Sequence, residues 1–177
     1  MPILPRAFKS PLAEDFREPE ALRERFFPYL YTWLFVAIAL GTTTLLLGLT
    51  EHKALLASFG GSCVILFGMP DSEMAKMRSF LGGHLLSTVV GLVFFNLGYA
   101  TVGGSSEVWV IAAVATALIL MMLTRTIHSP AGANPVVIFA EGANWHFLLS
   151  PVLVGLIILA ITAIIAKPLI SRTDVAR

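Results

Sequence analysis

Charge is what this chain has least of. Asp, Glu, Lys and Arg make up 13% of its 177 residues, against 56% hydrophobic, and mean hydropathy is +0.83. A soluble core of this size has no room for so much apolar surface, which excludes a purely aqueous fold and makes lipid bilayer the main partner. The single cysteine, Cys63, excludes an intrachain disulfide and a multi-cysteine metal site. A net charge of +1 provides no basic field for nucleic acid.

Catalytic signatures are missing as well. There is no H-E-x-x-H, no G-x-S-x-G, no Walker loop and no P-C-x-x-C pattern. The long apolar stretches contain neither Asp nor Glu, so they lack both the acid pair of a proton-abstracting enzyme and the carboxylates of a cation pump. The expectation is a protein that is not an enzyme, holds no cofactor or metal, and handles neutral solutes or anions. His52 and His146, near Glu51 and Glu141, are too sparse to argue a metal site.

Long apolar runs are there instead. Four uncharged stretches, near Tyr29 to Thr50, Leu81 to Gly98, Val108 to Leu123 and Phe147 to Ala166, approach the roughly 20 helical residues that cross a hydrocarbon core of about 30 Å. Two more, Ala54 to Met69 and Ser129 to Ala140, are short and interrupted by Gly or Pro. If both also cross, the loops on one side hold Lys76, Arg78, Arg125 and Lys167, and those on the other hold only Lys53. That asymmetry favours six crossings with both termini in the cytoplasm. The fold class is thus an all-α membrane protein of four long spans and two short broken spans, and a bacterial cytoplasmic (inner) membrane is the expected location.

The domain reading has three parts. Residues 1–28, with five acids and five bases, resemble neither a signal peptide nor a transit peptide and read as a cytosolic arm. Within it EDFREPEALRERFF can form an amphipathic helix that turns Phe16, Leu22, Phe26 and Phe27 to lipid. Residues 29–170 form a single transmembrane domain, and 171–177 a cytosolic tail.

An internal echo runs through the domain. SFGGSCVILFG (Ser58 to Gly68) aligns without gaps on PAGANPVVIFA (Pro130 to Ala140), pairing Gly60 with Gly132, Val64 with Val136 and Phe67 with Phe139. HLLSTVVG from His84 then echoes FLLSPVLVG from Phe147 with one insertion. Three crossings per half, about 29–98 and about 108–170, make this an inverted repeat.

The blocks LLASFGGSCVILFGMPDSEMAKMRSFLGGHLLSTVVG, RTIHSPAGANPVVIF and NWHFLLSPVLVG together resemble the HPP family of small integral membrane proteins, from about Leu34 to Leu169. The family's His-Pro-Pro motif corresponds to His128, Ser129 and Pro130, so this chain departs from it at Ser129. It departs again at Asn134 and Pro135, where AGANP stands for AGATA-like residues. The resemblance implies membrane transport, with plant and cyanobacterial members associated with nitrite, and family descriptions usually count four spans.

The residues themselves suggest how an anion is held. A helix that begins inside the membrane presents free N–H groups and the positive end of its dipole, and paired discontinuous helices mark transporter sites near the midplane. On this reading Ser58 to Ser62 is unwound, Ser62 caps a helix over Val64 to Phe67, and His128 to Asn134 descends to a half-helix starting at Pro135 with Asn134 as N-cap. The candidate anion-binding residues are Ser58, Gly60, Gly61, Ser62, His84, His128, Ser129, Gly132 and Asn134, with Arg125 drawing anions to the mouth.

Plainer readings stand beside these. Gly82 and Gly83 suit tight helix packing, as do Gly60, Gly61 and Gly132 equally with a pathway. His128 can hold a helix end instead of making a gating or proton-linked anion contact, His84 can be a structural hydrogen-bonding group, and Arg125 can be an orientation signal alone. Phe94, Phe95, Phe139 and Met121 read as packing or lipid-facing groups, and Trp33, Trp109 and Trp145 as an aromatic belt. Two functions of different class follow: a transporter or channel for nitrite or a similar small anion, formed by a homo-oligomer, or a structural membrane protein whose small residues only pack helices.

Overall fold

The computed structural model describes residues 26–48, 52–102 and 107–171. The expected arm, apart from its last three residues, and the tail beyond Ser171 lie outside them. Among the described residues all regular structure is helical: α1 Phe26–Leu47, α2 Lys53–Gly68, α3 Met77–Val102, α4 Glu107–Thr124, α5 Asn134–Glu141 and α6 Val154–Ser171. Short 3-10 turns at Glu73–Ala75 and Ser129–Ala133 precede α3 and α5, and a wide turn over Leu148–Leu153 precedes α6. Four stretches of the described residues are long and apolar enough to cross a membrane: Tyr29–Leu47, Met77–Thr101, Glu107–Thr124 and Leu148–Ile170.

Contacts at the two ends show how the chain runs. At one end Arg78 Nη2 donates to the Thr124 carbonyl at 2.6 Å and Lys167 Nζ to the Pro70 carbonyl at 3.4 Å. At the other, His52 Nδ1 and Glu141 Oε2 lie 2.6 Å apart. The six segments therefore pass between the same two ends in alternating directions. At about 1.5 Å per α residue and 2.0 Å per 3-10 residue, α2 covers about 24 Å and the Ser129–Glu141 segment about 22 Å, both less than a hydrocarbon core of about 30 Å.

α3 is the central element, packed on α4, α5 and the 3-10 turn before α5, while α6 packs against α1 and α2. Close approach depends on glycines of α3. A Cβ on Gly91 would lie 2.9 Å from Pro135 Cα, and one on Gly83 would lie 2.8 Å from the Thr126 carbonyl oxygen. Phe59, Phe67, Phe80, Leu92, Ile138 and Leu156 fill the main core.

Three local expectations are corrected. Ser58 to Ser62 is not unwound, since α2 is one continuous helix and Ser62 does not cap it. Glycine raises the cost of a helix by about 1 kcal/mol but removes no N–H, and Ser62 Oγ lies back over the helix, 3.0 Å from the Ser58 carbonyl. The descent to Asn134 is a 3-10 turn rather than non-helical chain, and Asn134 opens α5 with Ala133 as its N-cap. Pro130 and Pro135 both occupy first-turn positions, where a missing N–H costs nothing. Finally, the span from Phe147 is interrupted at Ser150, whose backbone is extended (φ −139°, ψ 125°) ahead of Pro151.

Helix ends follow known stop chemistry. Gly48 and Gly142, at φ 59° and 62°, take the left-handed position after α1 and α5. After α4 that position is filled by Arg125 at φ 56°, and the Thr126 and Arg125 N–H groups bond the Met121 and Met122 carbonyls.

Candidate functional site

Six polar side chains converge where α2, α3 and the Ser129–Glu141 segment meet. Ser58 and Ser62 stand one turn apart on α2, and His84 and Thr88 one turn apart on α3. His128 precedes the 3-10 turn and Asn134 opens α5. All are buried, five of the six at 0% exposure and Ser58 at 3%. Burial without partners would be costly for each.

Partners are present for every one. Ser58 Oγ lies 2.8 Å from the Pro130 carbonyl and 3.1 Å from Asn134 Oδ1. Asn134 Nδ2 approaches Thr88 Oγ1 at 2.8 Å, His84 Nδ1 at 3.1 Å and the His84 carbonyl at 3.3 Å. Ser62 Oγ lies 2.8 Å from His84 Nε2 and 3.0 Å from His128 Nε2. The far nitrogen of His128, Nδ1, faces the Met74 carbonyl at 2.9 Å.

These contacts assign the protons. A carbonyl only accepts, so the Asn134 atom beside the His84 carbonyl is the NH2 group, and His84 Nδ1 receives its hydrogen. Neutral His84 therefore carries its proton on Nε2 and donates it to Ser62 Oγ. By the same rule His128 Nδ1–H donates to Met74, leaving Nε2 to accept from the Ser62 hydroxyl. Aromatic rings frame the pair: Phe80 lies edge-on to both imidazoles at 5.4 and 5.3 Å, and Phe59 to His84 at 5.7 Å.

Of the residues singled out in the sequence, Ser58, Ser62, His84, His128 and Asn134 come together here. Gly61 sits beside them, where a Cβ would lie 3.2 Å from Pro130 Cγ, so it closes the contact between the two short segments. Gly60 and Gly132 touch nothing within 4 Å of a built Cβ, and so close no contact. Ser129 and Arg125 are exposed and take no part in the cluster. Gly82 and Gly83 pack against Thr126, and Gly83 also against His128 Cβ, as the packing reading requires.

Thr88 and the carbonyls of Met74 and Pro130 are missing from the sequence reading. The i, i+4 spacing of His84 and Thr88 puts both on one helix face and is the signal that points to the threonine. Ser87, one residue earlier, has the only buried side-chain oxygen among the described residues without a hydrogen-bond partner.

Aligned positions of the two short segments share their surroundings. Ser62 and Asn134 correspond, and they contact opposite nitrogens of the same imidazole. Phe67 and Phe139 are 1% and 7% exposed, while Val64 and Val136 are 63% and 48% exposed.

A second polar region lies at the other end of the bundle. A cavity of about 280 Å³ is lined by His52, Glu141, Asn144, His146 and Ser150 with Phe147. Among the described residues no three His, Cys, Asp or Glu groups converge as metal ligands, there or elsewhere.

Comparison with known proteins places this geometry in context. The model of the HPP transmembrane region matches residues 22–175. Two transmembrane proteins of Dictyostelium discoideum are similar. One is 32% identical over 121 residues, covering 66% of this chain and 42% of its own length. The other is 31% identical over 121 residues, covering 66% of this chain and 39% of its own length. The chain thus spans less than half the length of these curated relatives. No solved structure matches.

Proposed function

The chain belongs to the HPP transmembrane family, and from that premise we propose that it is a membrane transporter or channel for a small anion, with nitrite the solute to test first. The observation that carries the reading is a buried cluster of hydroxyl, amide and imidazole groups, without any carboxylate, tying both short segments to the central helix. Such groups offer hydrogens to an anion in a low-dielectric setting, where each contact is stronger than in water. Recognition then falls to side-chain donors rather than to half-helix N-termini, because α2 begins at the end of the bundle and Asn134 spends its side chain on α3.

Lys76, Arg78, Arg125 and Lys167 support a reading in which the His128 end faces the cytoplasm of a bacterial cell, by the positive-inside rule. An inverted repeat fits the matched surroundings of Ser62 and Asn134. Two segments shorter than the hydrocarbon core leave a single chain poorly shielded from lipid, and a homo-oligomer removes that mismatch.

The test is flux of nitrite and nitrate into proteoliposomes, with empty vesicles subtracting unaided permeation. Asn134→Leu and His128→Gln proteins that remain folded are expected to lose most of the flux. Absence of flux for every monovalent anion from well-folded wild type would sink the reading. One observation favours a structural alternative: the six clustered side chains are already fully bonded. If the cluster only locks helices, the two substitutions lower stability and leave flux per folded molecule unchanged.

A further inference from the structure

Resting on that anion-binding reading, we infer that the cluster takes up one proton, on His128 Nε2, together with each anion it binds. The Ser62 hydroxyl makes this possible. Its single hydrogen has two acceptors within reach, His128 Nε2 at 3.0 Å and the Ser58 carbonyl at 3.0 Å. In the neutral cluster it points to His128. When a proton from solution bonds to His128 Nε2, the hydroxyl turns to the Ser58 carbonyl, and Ser62 Oγ accepts from both imidazoles. No hydrogen bond is lost and no other group moves.

His84 has no such freedom. A proton on its Nδ1 would meet the Asn134 NH2 group, whose orientation is fixed by the His84 carbonyl and by Thr88 Oγ1. Thr88 in turn spends its own hydrogen on the His84 carbonyl at 2.7 Å. Two imidazoles whose centroids lie 5.2 Å apart also resist double protonation. The cluster accordingly has room for a single added charge, and the geometry puts it on His128.

Among the described residues nothing nearby balances that charge. His128 is faced by the Met74 carbonyl, by Ser62 of α2, and by Phe80 and His84 of α3. Glu73 is paired with Lys76 at 2.6 Å in the exposed turn, Arg78 is engaged at the Thr124 carbonyl, and Arg125 is exposed. A buried imidazolium without a counter-charge is unfavourable, and so is a buried anion. Each supplies the partner the other lacks. Binding of proton and anion is therefore reciprocal: each raises the affinity of the other by the same factor. Net movement through such a site is electroneutral, one proton with one monovalent anion.

Calorimetric titration of the full chain in nanodiscs with sodium nitrite, in two buffers of different protonation enthalpy, reads the proton directly. At alkaline pH the buffer-dependent heat should correspond to about one proton taken up per nitrite, and affinity should weaken about tenfold per unit rise in pH. His128→Gln, which keeps a donor for the Met74 carbonyl, should bind nitrite weakly and with neither buffer-dependent heat nor pH dependence, and His146→Gln, at the other end of the bundle, should keep both. Wild-type binding without proton uptake overturns the coupling and leaves the anion site standing. No binding of nitrite at any pH overturns the anion site and the coupling with it. Nitrogen-15 spectra give a check that needs no anion: neutral His128 should carry Nδ1–H and neutral His84 Nε2–H, and the opposite tautomers would refute the arrangement.

Discussion

The two short apolar segments share a glycine at the same aligned place, Gly60 and Gly132, and each runs on to Val-x-x-Phe. One is a single helix of 16 residues, and the other a 3-10 turn of five residues joined to a helix of eight. Proline makes the difference. Pro130 and Pro135 deprive the second segment of two N–H donors over six residues, so a continuous helix through it would leave carbonyls unpaired. α2 lacks proline altogether, and its paired glycines cost propensity without removing a bond. The two backbones still deliver Ser62 and Asn134 to opposite sides of His84. The side chains converge although the two backbones differ.

Breaking the more heavily bonded partner should have the largest effect. Asn134→Leu keeps the branching at Cγ but leaves Ser58, Thr88 and His84 Nδ1 short of a partner, and should cost about 3 kcal/mol. Ser62→Ala should cost less, about 1 to 2 kcal/mol, because His84 and His128 keep their bonds to Asn134 and Met74. Urea or thermal unfolding in detergent compares the two, and a larger loss at Ser62 would reverse the ranking.

Next comes the contrast between glycines. Gly83→Ala drives a methyl into the Thr126 carbonyl and His128 Cβ, neither a flexible side-chain end, and should cost about 2 kcal/mol through overpacking. Gly60→Ala meets open space within a helix and should gain up to about 1 kcal/mol. Should Gly60→Ala or Gly132→Ala abolish anion flux while stability holds, the open space beside them is part of the pathway.

The smallest effect is expected at Arg125. Replacing it by glycine removes the strain of a left-handed side-chain-bearing residue and should add about 1 kcal/mol to stability. A concurrent fall in anion flux, restored by Arg125→Lys, would mark the guanidinium as a charge at the mouth; unchanged flux would leave it a helix stop.

Much of the bundle was legible from apolar run length. The observed spans begin and end within a few residues of the expected ones, apart from the additional turn that starts α3 at Met77 instead of Leu81. Polar residues in apolar runs were equally visible, and five of the nine proposed for binding meet in one cluster. Breaks were read less well. Gly-Gly in α2 suggested an unwinding that does not occur, and Ser150-Pro151 interrupts a run that looked whole. In a membrane an unpaired backbone group is so costly that glycine stays helical unless a proline or a neighbour takes over its bonds.

By itself, then, the sequence determined the solvent, the four long spans and the chemistry available inside them, because transfer from water to lipid depends on composition over about 20 residues and little else. Which groups face one another was decided only in three dimensions. The bonds that define the cluster join residues 22 to 76 positions apart, and they form because Gly61, Gly83 and Gly91 let three backbones come within reach of short side chains. Local spacing carries no record of that closeness. Hydrogen-bond satisfaction in a dry interior enforces it once the helices have packed.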